Sequence, residues 1–519
     1  MIRTKNSILN ALSAVVLSLI NGLLGFVLTR SVLTVFGSDF NGVNSTANQL
    51  VNMLSIVEGG FTTATNVALF KPWNGGDSAL INGILSATRK KFFGIGSIFL
   101  AAGLVSCAAY SFIARTSIAR LDIFLILIMA VVPLAVNFLF AVKYRILIQA
   151  EQREYVISVI GIISVGAGYL ANILIVRYAA PVLLAAGHTR SYVLVRATTM
   201  LFSLLQSLYI VIYSRRRYKT VDLRAEPDFS AIKGTRDVLA QKITGVIYSS
   251  APMLLITAFS ARGAAQASVY SVYNYVFAMI SMLMHAVIDA VRLPIGSLAA
   301  ERGVGKIKSR FMQYELVVYS ALCAMIATAG AMIMPFVRIY SAGVDDIDYS
   351  DPFIAVGLAA AAFLDLAHIP ATNLIVMSGD FRTSRRIQLA GSAVLLALSA
   401  ALCPFFDVYG IVVAVAVSAG VLCFLDLFVV HKRYYGGEAP FLKNNLPLVL
   451  LCPVLAFAEA RFLPSPGGYP GFFALTAAAG IFNCAAVIAL DMIFNRKDTL
   501  AVIRAAVKTV FPGRPGHPG

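Results

Sequence analysis

Apolar segments of about twenty residues recur fourteen times along this chain of 519 residues. A helix needs about twenty consecutive apolar residues to cross a bilayer core that is roughly 30 Å thick. Each segment therefore predicts one transmembrane helix, and the expected fold class is all-α and polytopic. The segments are residues 7–29, 43–70, 92–113, 122–144, 155–176, 193–213, 238–259, 268–292, 315–340, 352–377, 387–405, 409–430, 446–463 and 472–494.

The amino-acid composition agrees with a chain that lies mostly in lipid. Hydrophobic residues make up 59% of the chain and charged residues 13%, whereas soluble domains have about 45–50% and ~25%. The short connections leave no room for a soluble catalytic domain, and no GxxxxGK(S/T), GxSxG or HExxH motif occurs. The six cysteines lie in apolar runs without a CxxC pair, which predicts neither disulfides nor a metal site. We therefore expect no enzyme and no cofactor.

Positive charge is distributed unevenly along the chain. The formal net charge is +17, with 42 Lys and Arg residues. When the connections are assigned alternately to the two sides of the membrane, 33 of these 42 residues fall on one side. Cytoplasmic loops of membrane proteins carry such an excess. We therefore expect a multi-pass protein of the cytoplasmic (inner) membrane with both termini in the cytoplasm, and no nucleic-acid partner.

The longest cytoplasmic connection separates the first six segments from the next six. Two bundles of six helices around a shared site are typical of secondary transporters. The predicted organisation is an N-terminal six-helix lobe (1–214), a cytoplasmic linker (215–237), a C-terminal six-helix lobe (238–431), a hairpin of transmembrane helices 13 and 14 (432–495) and a cytoplasmic tail (496–519).

Polar residues form a continuous stripe along the second segment. Their steps of three and four residues place them on one helical face, namely Asn44, Asn48, Asn52, Ser55, Gly59, Thr62 and Asn66. Such a face either packs on other polar helices or lines a water-filled cavity. Glu58 flanks the stripe and favours the cavity, because a carboxylate in the membrane needs a partner or water. Asn48, Asn52, Glu58 and Thr62 are therefore candidate substrate-binding residues.

Charged residues also lie inside the eighth and tenth segments. His285, Asp289 and Arg292 share one face of the eighth segment, and Asp365 and His368 share one face of the tenth. Each group is either a structural pair or a functional site, since ionisable residues in a membrane need partners. Asp289, Asp365 and His368 are candidate ion-coupling residues, and Arg292 is a candidate substrate-binding residue.

Two arginines lie toward the outer side, where basic residues are scarce. They are Arg30, at the end of the first segment, and Arg196, early in the sixth. Either side chain can extend to the lipid headgroups by itself. The alternative is that they hold an anionic headgroup, because guanidinium binds phosphate through paired hydrogen bonds. Arg30 is accordingly a further candidate substrate-binding residue.

Several stretches of the chain resemble a known family. Residues 30–37 (RSVLTVFG), 41–43 (NGV) and 54–64 (LSIVEGGFTTA) are similar to the start of the polysaccharide transporters, the Wzx-type flippases of lipid-linked oligosaccharides. Two further stretches also resemble sequences of this family, namely residues 144–150 (YRILIQA) and 293–298 (LPIGSL). With the number of segments, the resemblance covers the chain through the twelfth segment.

The resemblance implies membership of the multidrug/oligosaccharidyl-lipid/polysaccharide exporter (MOP) superfamily, with two six-helix lobes and alternating access. The implied function is translocation of a polyprenyl-pyrophosphate-linked oligosaccharide, such as an O-antigen precursor, for polysaccharide biosynthesis. The implied partners are this lipid-linked oligosaccharide, membrane lipids, H⁺ or Na⁺ as a coupling ion, and proteins of glycan assembly. From the family, only the region of Glu58 and the basic end of the eighth segment at Arg292 carry over to this chain.

Two other functions stay open at this point. An ion-coupled multidrug antiporter of the same superfamily would bind amphipathic cations through acidic residues such as Glu58, Asp289 and Asp365. A membrane-embedded glycan polymerase or ligase generally needs a large external loop with arginines and a histidine, and the external loops here are short. The many basic residues and the EGGF region at 58–61 favour the flippase.

Overall fold

The structure is a computed structural model, and it describes residues 2–58, 60–187, 190–230, 236–437 and 444–510. These residues form helices joined by short connections, with no strand among them, so the predicted all-α class is confirmed. The end of the expected linker, part of the hairpin's first connection and the end of the tail lie outside the described residues.

Two compact units make up the chain. The first holds Met1–Val269 and Gly343–Ile347, and the second holds Tyr270–Ala342 and Asp348–Gly519. The division falls within one helix, α10, whose first turns belong to the first unit.

The helices that begin in the first unit are mostly long and apolar. Within the described residues they are α1 (Ile2–Leu54), α2 (Phe61–Gly75), α3 (Ser78–Ile113), α4 (Arg120–Val136), α5 (Val142–Ala150), α6 (Glu154–Leu174), α7 (Ala180–Ala185), α8 (Ser191–Arg217), α9 (Arg236–Phe259) and α10 (Gly263–Arg302). A 3₁₀ turn, Ser55–Glu58, follows α1. Wider π-helical turns join α4 to α5 (Asn137–Ala141) and α6 to α7 (Ile175–Ala179).

The second unit continues with a similar set of helices. These are α11 (Lys308–Tyr340), α12 (Pro352–Ala367), α13 (Ile369–Met377), α14 (Phe381–Phe428), α15 (Leu446–Phe462), α16 (Tyr469–Phe494) and α17 (Arg496–Val510). A 3₁₀ turn, Val304–Ile307, precedes α11, and a π-helical turn, Val429–Tyr434, follows α14.

Two of the helices are each broken once near the middle. Gly37 interrupts α1 with a φ of 79°, a conformation that glycine adopts without steric cost. The next helical stretch begins at Ser38, whose backbone N–H and hydroxyl both donate to the carboxylate of Asp346 at 2.6 Å. Asp407 interrupts α14 with a φ of 51°. The break in α1 is therefore capped by an acidic residue from a distant loop.

Ten helical stretches in the described residues are long and apolar enough to cross a membrane. Two of them, Leu12–Glu58 and Phe381–Tyr434, contain 47 and 54 residues. At about 1.5 Å per residue each is more than twice as long as the ~30 Å hydrocarbon core, and the breaks described above divide each into two segments. Two shorter apolar stretches complete the fourteen predicted segments, namely Ile243–Phe259 within α9 and Leu446–Phe462, which is α15. The chain is a multi-pass membrane protein.

Helix α1 packs closely against α4, α6 and α9 in the first unit. The hydroxyl groups of Thr46 on α1 and Thr257 on α9 form a buried hydrogen bond of 2.7 Å. A side chain at Gly42 would lie 1.7 Å from the carbonyl oxygen of Ala264, so only glycine allows this approach. Helix α9 thus packs within the first unit, whereas the sequence places it in the C-terminal lobe. The boundaries of the six-helix lobes stay a prediction.

Polar side chains connect α11 to the two last helices of the second unit. The hydrogen bonds join Gln313 to Asp498 (2.9 Å), Ser320 to Asp491 (2.6 Å) and Thr328 to Asn483 (2.9 Å). The residues on α11 are seven and eight positions apart, and their partners are seven and eight positions apart in the opposite direction. The three residues of α11 therefore share one helical face, and so do Asn483 and Asp491 of α16. We call these three pairs the polar ladder, and they hold α16 and α17 against α11.

Candidate functional site

A buried arginine connects three helices of the first unit. Arg196 lies on α8 with only 6% of its surface exposed. Its terminal nitrogens donate to the side-chain oxygens of Asn44 and Asn48 on α1, both at 2.9 Å. Its Nε donates to the carbonyl oxygen of Ile126 on α4 at 3.4 Å. Among the described residues these bonds use three of the five N–H groups of the guanidinium, and two are left for a ligand or water.

Arg196 lies in the wall of a cavity of about 290 Å³ within the first unit. The polar side chains that line it are Asn48, Asn137, Arg145, Arg196, Thr199, Ser203, Gln206 and Ser207. Two of them are arginines, and none of the lining residues in the described chain is acidic. The cavity therefore favours an anion, because guanidinium groups bind phosphate or carboxylate with paired hydrogen bonds. The hydroxyl and amide groups can both donate to and accept from sugar hydroxyls.

The second arginine of the cavity follows the π-helical turn between α4 and α5. Arg145 makes no hydrogen bond or ion pair with the described residues, although the charge of Glu154 lies near it. Asn137, the first residue of the π-helical turn, has a buried amide oxygen without a hydrogen-bond partner in the described chain. Buried polar groups are nearly always hydrogen-bonded in folded proteins. Both residues are therefore placed to contact a ligand or water.

The polar stripe of the second segment is divided among several partners. Asn48 lies in the cavity wall, whereas Asn52 donates to the hydroxyl of Ser250 on α9 at 2.8 Å. Asn66 donates to the side-chain oxygen of Gln149 at 2.8 Å. The stripe thus combines polar packing with one residue at the cavity. Substrate binding by Asn48 and Asn52 stays a prediction.

Glu58 occupies the bend between α1 and α2 and is 6% exposed. Its carboxylate accepts hydrogen bonds from the backbone N–H groups of Gly60 (3.3 Å) and Thr62 (2.7 Å). The first N–H groups of a helix have no partner within the helix, and the helix dipole favours negative charge there. Glu58 therefore stabilises the start of α2, and Thr62 is joined to it through its backbone. A role for either residue in substrate binding stays a prediction.

The charged residues of the eighth segment are only partly brought together. Arg292 and Asp289 form an ion pair of 3.3 Å between half-exposed side chains on α10. His285 does not extend this pair, since its Nδ1 instead hydrogen bonds the carbonyl oxygen of Ser281 at 2.7 Å. Arg30 is half-buried on α1, before the break in that helix.

The tenth segment places Asp365 and His368 beside a residue that sequence reasoning missed. Nε2 of His368 lies 3.8 Å from Asp365, and Nδ1 lies 2.8 Å from Asp426 on α14. Asp426 is fully buried. The sequence signal for Asp426 was the presence of an acidic residue inside the apolar twelfth segment, because such residues rarely occur without a role. The same signal would have found Glu315 on α11, which pairs with His431 at 2.8 Å.

No protein-family profile matches the chain, and no curated protein matches it in sequence. Solved structures do match. The chain is similar over 94% of its length to 99% of the lipid II flippase MurJ in an inward closed conformation, with a TM-score of 0.62 and 13% identity. Over 82% of its length it is similar to 98% of an inward-facing multidrug resistance MATE transporter of the MOP superfamily, with a TM-score of 0.62 and 11% identity.

The chain has the fold of the MOP-superfamily transporters. A second MATE structure, in a bent conformation, supports this with a TM-score of 0.53 and 10% identity over 88% of this chain and 98% of that one. The MOP fold implied by the resemblance is thereby confirmed. Membership of the polysaccharide transporter family stays a prediction.

Proposed function

We propose that this chain is a flippase that moves a polyprenyl-pyrophosphate-linked oligosaccharide across the cytoplasmic membrane by alternating access. The observation that carries the proposal is the cationic cavity of the first unit, with Arg145 and Arg196 in its wall. A pyrophosphate joins lipid to glycan in such a substrate, and guanidinium groups hold phosphate oxygens with paired, charge-assisted hydrogen bonds. The amides and hydroxyls of the same cavity supply hydrogen bonds for the sugars.

The MOP fold supports the same proposal. One of the similar structures is a lipid II flippase, and the others are transporters, so transport is favoured over glycan polymerisation or ligation. We therefore keep lipid-linked oligosaccharide and membrane lipids as the proposed partners. H⁺ or Na⁺ is the proposed coupling ion, and proteins of glycan assembly are further proposed partners.

An ion-coupled multidrug antiporter is the second candidate, because MATE transporters have this fold and the second unit buries carboxylates such as Asp426. Such a protein would bind organic cations through acidic side chains. The arginines of the cavity would repel a cation, and Glu58 already accepts two backbone hydrogen bonds. Under this alternative, expression of the chain would raise the resistance of cells to cationic drugs.

Export of lipid-linked glycan by cells that depend on this chain tests the proposal. Arg145→Gln should lower export roughly ten- to hundredfold, because a charge-assisted contact contributes about 1.5–3 kcal/mol. Arg145→Lys should retain part of the export, because lysine keeps the positive charge but lacks the paired donors of the planar guanidinium group. Arg216→Gln is the matched control, because Arg216 is an exposed arginine at the end of α8 outside the cavity. Normal export by a well-expressed Arg145→Gln protein would contradict the proposal.

Arg292 and Arg30 remain the predicted further contacts of the pyrophosphate. The side chain of Arg292 is 45% exposed beside Asp289, so its guanidinium is accessible to a ligand. In the same export assay Arg292→Ala should abolish transport and Arg292→Lys should retain part of it. Unimpaired export by Arg292→Ala would assign this arginine to the membrane interface instead.

A further inference from the structure

Helix α17 follows the transmembrane helix α16 after a single residue. That residue, Asn495, has non-helical backbone angles, φ −126° and ψ 30°, and the chain bends there. Just before the bend, Ile493 and Phe494 are exposed apolar side chains, as expected where a helix faces lipid tails. Just after it, Arg496 and Lys497 are exposed and basic. The boundary between lipid tails and headgroups therefore falls near Asn495, and α17 begins at the level of the headgroups.

Several hydrogen bonds fix the orientation of α17 in the second unit. The side-chain amide of Asn495 donates to the carbonyl oxygen of Asn444 at 2.9 Å. The buried hydroxyl of Thr499 donates to the carbonyl oxygen of Asn495 at 2.9 Å. The side-chain amide of Gln313 on α11 donates to the carboxylate of Asp498, also at 2.9 Å. Asp498 and Thr499 thus mark the face of α17 that packs against the protein.

The rest of the helix surface carries an apolar face beside a basic face. Lys497 and Arg504 are seven residues apart, so they lie on the same side of α17, and both are exposed. Leu500 and Ile503 are three residues apart and lie next to this side, with Ile503 exposed and Leu500 half-buried. Amphipathic helices at a membrane surface place such apolar side chains among the lipid tails and their basic side chains at the headgroups.

Helix α11 adds a third basic residue at the same place. Arg310 donates to the side-chain oxygen of Gln313 at 3.1 Å, and Gln313 in turn donates to Asp498. We call Arg310, Lys497 and Arg504 the basic patch. All three are exposed, and none of them forms an ion pair with an acidic side chain of the described residues. Asp498 is the single acidic residue of α17, and its carboxylate is already bonded to α11. The patch therefore lacks a compensating charge within the described chain.

We propose that α17 and the start of α11 form a docking surface for anionic phospholipids, with the lipid phosphates on the basic patch and with Leu500 and Ile503 among the lipid tails. Charge complementarity supports this occupant, because anionic lipids attract basic segments that lie beside a transmembrane helix. Orientation by positive charge requires only basic residues in a connection. Here the charges lie on a folded helix that is bonded to α11. The proposal goes beyond the proposed transport function, and its test needs no transported substrate.

Fluorescence of the full-length protein in lipid nanodiscs tests the proposal. Ile503→Cys carries an environment-sensitive nitrobenzoxadiazole label, in a background where the exposed Cys484 is replaced by alanine. As phosphatidylglycerol replaces phosphatidylcholine, the emission should shift to the blue and quenching by aqueous acrylamide should fall. High salt should reverse both changes, because it screens the attraction between exposed charges. An emission that does not depend on the lipid composition, even one that is fully blue-shifted in pure phosphatidylcholine, would overturn the proposal.

A pair of double variants separates the basic patch from the net charge of the protein. Lys497→Gln with Arg504→Gln should weaken the association roughly thirtyfold and nearly abolish the shift, because each basic side chain near an anionic surface contributes about fivefold. Lys90→Gln with Arg216→Gln is the matched control, because it removes the same charge from exposed positions of the first unit. The control should respond to phosphatidylglycerol as the unsubstituted protein does. An equal response of the two double variants would contradict the proposal.

Asp498→Asn gives an effect of the opposite sign, which misfolding does not imitate. The amide oxygen of asparagine still accepts from Gln313, so α17 stays bonded to α11 while a negative charge beside the basic patch is removed. Half of the blue shift should therefore occur at a phosphatidylglycerol fraction that is up to about fivefold lower. If Asp498→Asn needs the same fraction as the unsubstituted protein or a higher one, the basic patch does not bind the lipid.

Discussion

Glu58 illustrates how a carboxylate is accommodated in a transmembrane segment. Sequence reasoning expected a charged residue there to need water or a counter-ion. The structure supplies two backbone N–H groups to this carboxylate, at the point where the second segment bends from α1 into α2. A single glutamate in an apolar run therefore does not by itself distinguish a binding site from a helix cap.

We predict that the hydrogen-bond acceptors of Glu58 contribute more to stability than its charge does. Glu58→Ala should lower the free energy of unfolding by about 1 kcal/mol, because the N–H groups of Gly60 and Thr62 lose their acceptor. Glu58→Gln should lose clearly less, since its amide oxygen still accepts. Denaturation of both variants in mixed micelles measures the difference. If Glu58→Gln is as unstable as Glu58→Ala, the charge itself is required.

Contacts between helices depend on which face of each helix carries the polar side chains. The polar ladder repeats at spacings of seven and eight residues, which keeps Asn483 and Asp491 of α16 on one face. Asn483 donates both to Thr328 and, at 3.0 Å, to Glu459 on α15. One asparagine thus connects three helices of the second unit.

The bond between Thr328 and Asn483 should make a measurable contribution to the attachment of α16. A double-mutant cycle with Thr328→Val and Asn483→Leu should give a coupling energy of about 0.6 kcal/mol, with an upper value of ~1.7 kcal/mol for such bonds in membranes. The loss of the Glu459 contact occurs in both arms of the cycle and cancels. Thr476→Val is the control, because this hydroxyl bonds the backbone of its own helix. If the effects of the two substitutions on the free energy of unfolding are additive, this hydrogen bond does not stabilise the attachment of α16.

The all-α class and the number of apolar segments were the most predictable properties of the whole chain. Fourteen segments and the all-α class followed from hydropathy alone, because each crossing must be apolar over about twenty residues. The site was less predictable. Asn48 could be found from its position in the stripe, and an acidic residue in the apolar twelfth segment pointed to Asp426. Arg145 becomes informative only through a distant neighbour, Arg196, in the wall of the same cavity. Contacts between helices far apart in sequence have no local signature.

The basic residues of the chain predict its orientation in the membrane. A cysteine at Thr220, in the exposed connection after α8, should react with an impermeant maleimide only after the cells are permeabilised. Ser465→Cys, between α15 and α16, should react in intact cells and serves as the control. The background should lack Cys484, the one exposed native cysteine in the described residues. Labelling of the Thr220 variant in intact cells would reverse the topology.

The number of residues in the π-helical turn Asn137–Ala141 determines which side chain of α5 lies in the cavity wall. One residue corresponds to about 100° of rotation around an α-helix. Deleting one residue within the turn would therefore rotate Arg145 and everything after it on α5 by roughly that angle. Related chains that differ by one residue here would keep the MOP fold and place a different side chain in the cavity. Substrate preference in such chains would then change through insertion or deletion, without any substitution at the binding residues themselves.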